Sequence, residues 1–216
     1  MKLKETLFDL LFPPRCALCG RRGVKGLCTG CEKHLPMAEP ALCTGAGFGR
    51  CASSLLYEGN VREGMLRFKF SGGRSAALAF GELMARTAAE EFGGEFDLVT
   101  YVPVSDKRLR ERGYDQSRLL AEEMAKHWDT EVLTLLRKTR HNAAQSGIKS
   151  AAARRANVLG VYEAVDLEKI RGAKILLVDD ILTTGATLAE AVRVLKDAGA
   201  QDVLCLTLAR SVNAEK

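Results

Sequence analysis

A-K-I-L-L-V-D-D-I-L-T-T-G-A-T, residues Ala173 to Thr187, is the stretch on which the fold turns. Ile175, Leu176, Leu177 and Val178 form an unbroken apolar run, the pattern of a parallel strand buried on both faces. Asp179 and Asp180 stand where that strand is expected to end, and Thr183 to Thr187 form a loop of small, hydroxyl-bearing residues. Leu188, Val192 and Leu195 then recur at helical spacing. A loop that ends at a helix N-terminus presents free backbone N–H groups and the positive end of the helix dipole, a setting for phosphate. Thr183, Thr184 and Thr187 add hydroxyl donors, and Gly185 lets the backbone approach an anion closely. The Asp179 and Asp180 carboxylates repel phosphate but accept hydrogen bonds from sugar hydroxyls. Acid pair and loop together describe a ribose 5-phosphate. The stretch carries neither G-x-x-x-x-G-K-[ST] nor G-x-G-x-x-G.

Around this stretch, strand and helix patterns alternate, which implies a mostly parallel α/β sheet flanked by helices. S-S-L-L-Y-E-G reads as a strand, and N-V-R-E-G-M-L-R-F-K-F as a helix with Arg62, Arg67 and Lys69 reaching water. S-G-G-R (71–74) breaks that helix, and a longer one follows from about Ser75 to Phe92. Phe96 to Val104 is a strand, Tyr114 to Trp128 a helix with Leu119, Leu120, Met124 and Trp128 as core candidates, and E-V-L-T-L-L a further strand. N-V-L-G-V-Y-E and Asp202 to Leu208 complete the strands. Between the strand ending at Val104 and the next helix lies Ser105 to Gly113, a turn with Lys107, Arg108, Arg110 and Arg112. Four cations at the C-terminal end of a strand suit a pyrophosphate, because ligands of open α/β sheets gather there.

The first 50 residues differ in kind. Leu3, Leu7, Leu10 and Leu11 share one face of a short helix that Pro13-Pro14 stops. Cys16-x2-Cys19 and Cys28-x2-Cys31 then set four thiols for a tetrahedral structural zinc. Cys43 and Cys51 are too far apart in sequence to make a ligand pair of that kind, and Cys205 falls in an apolar strand. Two units follow from this: residues 1–50, helix and zinc knuckle, and residues 51–216, the α/β domain.

The chain has 216 residues and a net charge of +5, with 47% hydrophobic and 27% charged residues, the balance of a globular protein. Positive charge collects in residues 1–50 (8 basic, 4 acidic) and 101–160 (12 basic, 7 acidic). Residues 137–155 hold six Lys or Arg and no acid or aromatic residue, which fits a polyphosphate or a nucleic-acid backbone but offers no platform for stacking bases. His34 lies just beyond a shell that four thiols already fill and reads as a surface residue, and His141 has no visible partner. No apolar run reaches the ~18 residues of a membrane helix, and the charged start is unlike a signal peptide. A cytoplasmic location is the expectation, with metal-bound or unpaired cysteines.

The stretch Val178–Thr187 closely resembles the phosphoribosyl pyrophosphate (PRPP) signature of type I phosphoribosyltransferases. The chain as a whole resembles the ComF (competence protein F, GntX-like) family. It shares the cysteine knuckle, Y-E-G-x-V-R-E at Tyr57–Glu63, the P-V…R-G-[FY]-x-Q segment at Pro103–Gln116, T-R-x-x-x-x-Q at Thr139–Gln145, R-x-N-V at Arg155–Val158 and V-D-D-x-x-T-T-G-A-T. The resemblance implies a type I phosphoribosyltransferase-like fold and a link to competence, the uptake of single-stranded DNA, with DNA and a helicase-like ATPase as partners. Asp179 and Asp180 would be catalytic and contact ribose hydroxyls. Thr183, Thr184, Gly185, Ala186 and Thr187 would hold the 5-phosphate, and Lys107, Arg108, Arg110 and Arg112 the pyrophosphate. Mg²⁺ would accompany PRPP, held by few protein ligands. Three departures stand out. The second CxxC set is reduced to Cys43 and Cys51, Asp115 replaces the family's Asn, and Thr183 stands where hypoxanthine-type enzymes carry an acid. The last argues against 6-oxopurine salvage. A transferase, a PRPP sensor, a DNA-binding accessory protein and a salvage enzyme for another base all fit these features.

Overall fold

The computed structural model describes residues 13–70, 74–139 and 158–212. The expected N-terminal helix, most of the break at 71–74 and residues 140–155 of the basic segment lie outside them. Seven strands are described: β1 (Leu42–Gly45), β2 (Gly49–Leu56), β3 (Leu98–Tyr101), β4 (Leu136–Lys138), β5 (Tyr162–Ala164), β6 (Lys174–Leu182) and β7 (Asp202–Arg210). Five form one sheet in the order β1-β2-β7-β6-β3. β2, β7, β6 and β3 run parallel, and β1 adds an antiparallel edge. β4 and β5 make a separate antiparallel pair. The helices are α1 (Thr29–Lys33), α2 (Gly59–Phe70), α3 (Ala77–Phe92), α4 (Asp106–Arg112), α5 (Gln116–Ala125), α6 (Leu167–Ile170) and α7 (Ala186–Asp197). The α/β architecture is the one the alternating pattern implies.

β6 sits between β3 and β7, so both its faces are covered. Leu176 and Val178 enter one apolar cluster with α2, α3 and α5, while Ile175 and Leu177 enter another with α7 and the β4–β5 pair. All four side chains are fully buried, which is why the run reads as continuous rather than alternating. The strand does not stop before the acid pair. β7 is long enough to pair beyond it, aligning Asp179 with Thr207, Ile181 with Ala209 and Leu182 with Arg210. Asp179 and Asp180 are therefore strand residues, fixed by the sheet. The E-V-L-T-L-L run contributes less strand than expected: Val132 makes only an isolated bridge to Val99, and β4 begins at Leu136.

The cysteine-rich segment is docked on the sheet domain, with Cys16, Leu18, Cys28 and Cys31 inside the same cluster as α2 and α3. Its seat is α2. A Cβ on Gly64 would stand 2.5 Å from the Ala17 carbonyl oxygen and 3.0 Å from Leu18 Cα. Arg67, expected in water, donates to the Leu18 carbonyl instead. β2, moreover, crosses residue 50, so the strand that follows the cysteine segment is itself part of the main sheet. Gly64→Val should therefore force ribbon and helix apart. A loss of about 1–3 kcal/mol in urea unfolding is expected, the usual cost of overpacking.

Candidate functional site

A cavity of about 440 Å³ opens at the C-terminal ends of β6 and β3. Asp179, Asp180, Thr183, Gly185, Ala186 and Thr187 line one side, and Arg108, Arg112 and Lys138 another. Tyr57, Arg62, Leu66, Lys69 and Phe70 from α2 and its approach complete the wall. The two ends of the chain's functional reading, acid pair and basic segment, thus meet in one place.

Asp179 is almost fully buried. Ser117 Oγ donates to its Oδ1 at 2.9 Å, and the Asp180 N–H reaches the same oxygen at 2.8 Å. Burial, reinforced by the neighbouring Asp180 charge, pushes the Asp179 carboxyl up to about 7. Asp180 faces the cavity and forms an ion pair of 2.6 Å with Lys69. Arg62, Leu66 and Lys69 follow an i, i+4, i+7 stripe directly beside the fully buried stripe Val61, Met65, Phe68. Lys69 is therefore part of the site and not a water-facing charge, and Arg62 lines the same wall.

The phosphate-type loop has the expected composition but a tighter turn. Gly185 adopts φ 72° and α7 begins at Ala186, so Ala186 and Thr187 belong to the first helical turn. A second constraint acts on Gly185: a Cβ there would lie 2.2 Å from the ring of Phe48, at the tip of the β1–β2 hairpin. Thr184 does not line the cavity, and its buried hydroxyl has no hydrogen-bond partner among the described residues.

The basic turn is a helix. Ser105 caps α4, accepting from the Arg108 N–H at 3.5 Å, and Gly113 ends it in the left-handed conformation. Helical spacing sorts its cations. Arg108 and Arg112 are four apart and line the cavity, whereas Lys107 points away and pairs with Glu111 at 4.0 Å, and Arg110 is exposed. Burial, with the Arg108 charge, draws the Arg112 guanidinium below its usual range, and it stacks on Phe70 at 4.9 Å from the ring centroid. Asp115 does not line this cavity. It caps α5 through the Arg118 N–H at 3.2 Å and ties down the Val104 N–H at 2.8 Å.

Lys138 was legible only as one charge of the basic run. On β4 it lies 5.1 Å above the Tyr162 ring, and burial, with the Arg108 charge, lowers its ammonium to about 8. Its neighbour Arg137 pairs with Glu163. Two of the cations in that run thus have partners within the fold.

In the ribbon that packs on α2, the Sγ atoms of Cys16, Cys19, Cys28 and Cys31 lie within 4.8 Å of one another. Cys19 and Cys28 are 3.7 Å apart, matching the ~3.8 Å between two sulfurs bound at about 2.3 Å to a tetrahedral zinc. Burial works against the Cys16 thiolate, but N–H donors from Cys19, Cys28 and Leu18 bring it down to about 6. Four converging thiols with backbone donors fit a structural zinc, with no position left open. Cys43 and Cys51 stand apart as cross-strand partners, and Cys51 is in turn opposite Cys205. Among the described residues no other group of three metal-ligating side chains converges.

Sheet topology, acid pair and loop define a phosphoribosyltransferase-type domain carrying a four-cysteine ribbon. Residues 115–216 match the phosphoribosyl transferase domain family and residues 7–59 the double zinc ribbon domain family. The chain is 30% identical to the competence protein ComFC of Bacillus subtilis (strain 168), covering 91% of this chain and 78% of that one. It is also 30% identical to the DNA utilization protein YhgH of Escherichia coli (strain K12), covering 89% and 90%. Among solved structures it is similar to the glutamine PRPP amidotransferase from B. subtilis complexed with ADP and GMP. That likeness has 25% identity and a TM-score of 0.42, over 62% of this chain and 27% of that one. The chain belongs to the ComF family of the type I phosphoribosyltransferase superfamily. No helix among the described residues is long and apolar enough to cross a membrane.

Two measurements check this geometry. Protein purified without added zinc should hold about one equivalent of metal, and Cys16→Ser with Cys19→Ser should lose it. The Asp179 carboxyl, raised from 3.8 to about 7, keeps a proton in the folded state that the unfolded chain gives up. Its contribution to stability therefore falls as pH rises across that window. Denaturant unfolding of Asp179→Asn should show a flatter pH dependence there than wild type.

Proposed function

We propose that the cavity binds PRPP and that the protein serves DNA uptake or utilisation, the role carried in the names of its relatives. The observation that supports this most is the charge arrangement. Five cationic side chains, Arg62, Lys69, Arg108, Arg112 and Lys138, surround two carboxylates at a helix start. A ligand suited to that wall needs several negative charges and, beside them, hydroxyl donors for the acids. PRPP has both. Its 5-phosphate would sit on the Thr183–Thr187 turn and the N-terminus of α7. Its ribose hydroxyls would donate to Asp179 and Asp180, and its pyrophosphate would face Arg108 and Arg112. When bound with PRPP, Mg²⁺ would neutralise pyrophosphate charge. The chain's own contribution to a transfer reaction would be to orient the ribose and spread the leaving pyrophosphate's charge over Arg108, Arg112 and Lys138.

A second reading is a PRPP sensor without transfer, which needs the same cavity but no acceptor; Thr183 in place of an acid speaks only against a 6-oxopurine acceptor. Pyrophosphate release on mixing with PRPP and a panel of bases separates the two. For the binding step common to both, Asp179→Asn with Asp180→Asn should cut PRPP affinity by about tenfold or more, as expected for losing charged hydrogen-bond partners. Zinc content and fold should be retained. Calorimetry with PRPP and Mg²⁺ on both proteins is the check, and equal affinities would overturn the site.

A further inference from the structure

The ion pair between Lys69 and Asp180 has a role independent of which phosphorylated ligand the cavity takes. Its 2.6 Å separation is that of a charge-assisted hydrogen bond, and the two side chains are only 19% and 16% exposed. Two adjacent carboxylates on a rigid strand end, one buried and one facing a cavity, are a natural attractor for a divalent cation. On Asp180, however, a cation is already in place. It is supplied by the last turn of α2, a helix clamped from behind by the ribbon through Gly64 and Arg67.

The surroundings leave little room for a second cation. Ser117 from α5 and the Asp180 N–H occupy Asp179 Oδ1. Arg112 from α4 lies close enough for its charge to feel Asp180. Arg108 and Lys138 stand on the facing wall. A bare divalent ion approaching the acid pair would have to displace the ammonium from Asp180 and then sit against it at contact range, among further positive charges. We infer that Lys69 is the resident counter-ion of the acid pair and keeps divalent cations off it in the free protein. Metal then enters the cavity only in company with an anion that draws the ammonium away. A lysine suits this role better than an arginine, because its point charge on a flexible stem can leave a carboxylate without breaking a bidentate pair.

Mn²⁺ alone is the probe, since it takes the same oxygen ligands as Mg²⁺ and its free concentration is read by electron paramagnetic resonance. The zinc-loaded full chain is titrated at pH 8 as wild type, Lys69→Met, Lys69→Gln, Lys69→Arg, and Lys69→Met with Asp180→Asn. Thermal unfolding and zinc content confirm that each is folded. Removing the charge, by either Met or Gln, should create one Mn²⁺ site at least roughly tenfold tighter than any in wild type, the scale of a charged partner's effect. Arg should leave the protein like wild type, and Asp180→Asn should erase the gain. If wild type and both neutral variants bind Mn²⁺ alike, tightly or not at all, Lys69 does not guard the acids. A gain that survives loss of Asp180 overturns the assignment as well. None of these outcomes depends on PRPP, so failure of the proposed ligand would appear separately.

Discussion

Two carboxylates at the end of a fully buried strand impose the constraint that the rest of this molecule satisfies. β6 cannot shed Asp179 into solvent, because β7 continues to pair through Leu182. A buried carboxylate costs several kcal/mol unless its charge is met or its proton retained. The protein does some of each. Asp179 keeps its proton up to about 7, and Asp180 is met by Lys69. That need explains why α2 passes beside the strand end, and why its second stripe carries Arg62 and Lys69 rather than apolar residues.

The same constraint turns the N-terminal segment into part of the site. The ribbon seats the helix that delivers Lys69 and Phe70. The β1–β2 hairpin acts from the other side. Phe48 closes over Gly185 so tightly that any side chain there would clash, which fixes the turn where α7 starts. Zinc ribbon and hairpin thus hold the two walls of the cavity, helix α2 and the Thr183–Thr187 turn, in place relative to β6.

How much of this was legible in the sequence follows from range. The apolar run, the small-residue turn and the CxxC pairs are local patterns, and each appears in the structure where the spacing puts it. On a turn spanning Ser105 to Gly113, Arg108 and Arg112 are not separable from Lys107 and Arg110; only the helix sorts them by face. Lys69 carries a local signal: it belongs to a second stripe one position round from Val61, Met65 and Phe68. Lys138 carried none, since a three-residue strand has too few residues to reveal which side faces a cavity. Strand β6 overran its expected end for a non-local reason, the length of β7.

Charge decides what the cavity can be. With Asp180 held by Lys69, and Asp179 protonated below about 7, the acids do little to cancel Arg62, Arg108, Arg112 and Lys138. Below about 7 the free pocket is therefore more positive, by the one charge of Asp179, than its ionisable side chains alone imply. Positive walls of this kind draw polyanions by long-range attraction before any contact forms. Once an anion is seated, its charge competes with Asp180 for the Lys69 ammonium, and its hydroxyls compete with that ammonium for the carboxylate. A ligand bearing only phosphate, and bringing no metal ion, would gain from the first exchange and leave Asp180 without a partner. One bearing only hydroxyls would meet Asp180 but leave Lys69 without one. On the proposed reading, a molecule with phosphate and vicinal hydroxyls a few ångströms apart would satisfy both ends of the broken pair, and the internal ion pair would then favour phosphorylated sugars.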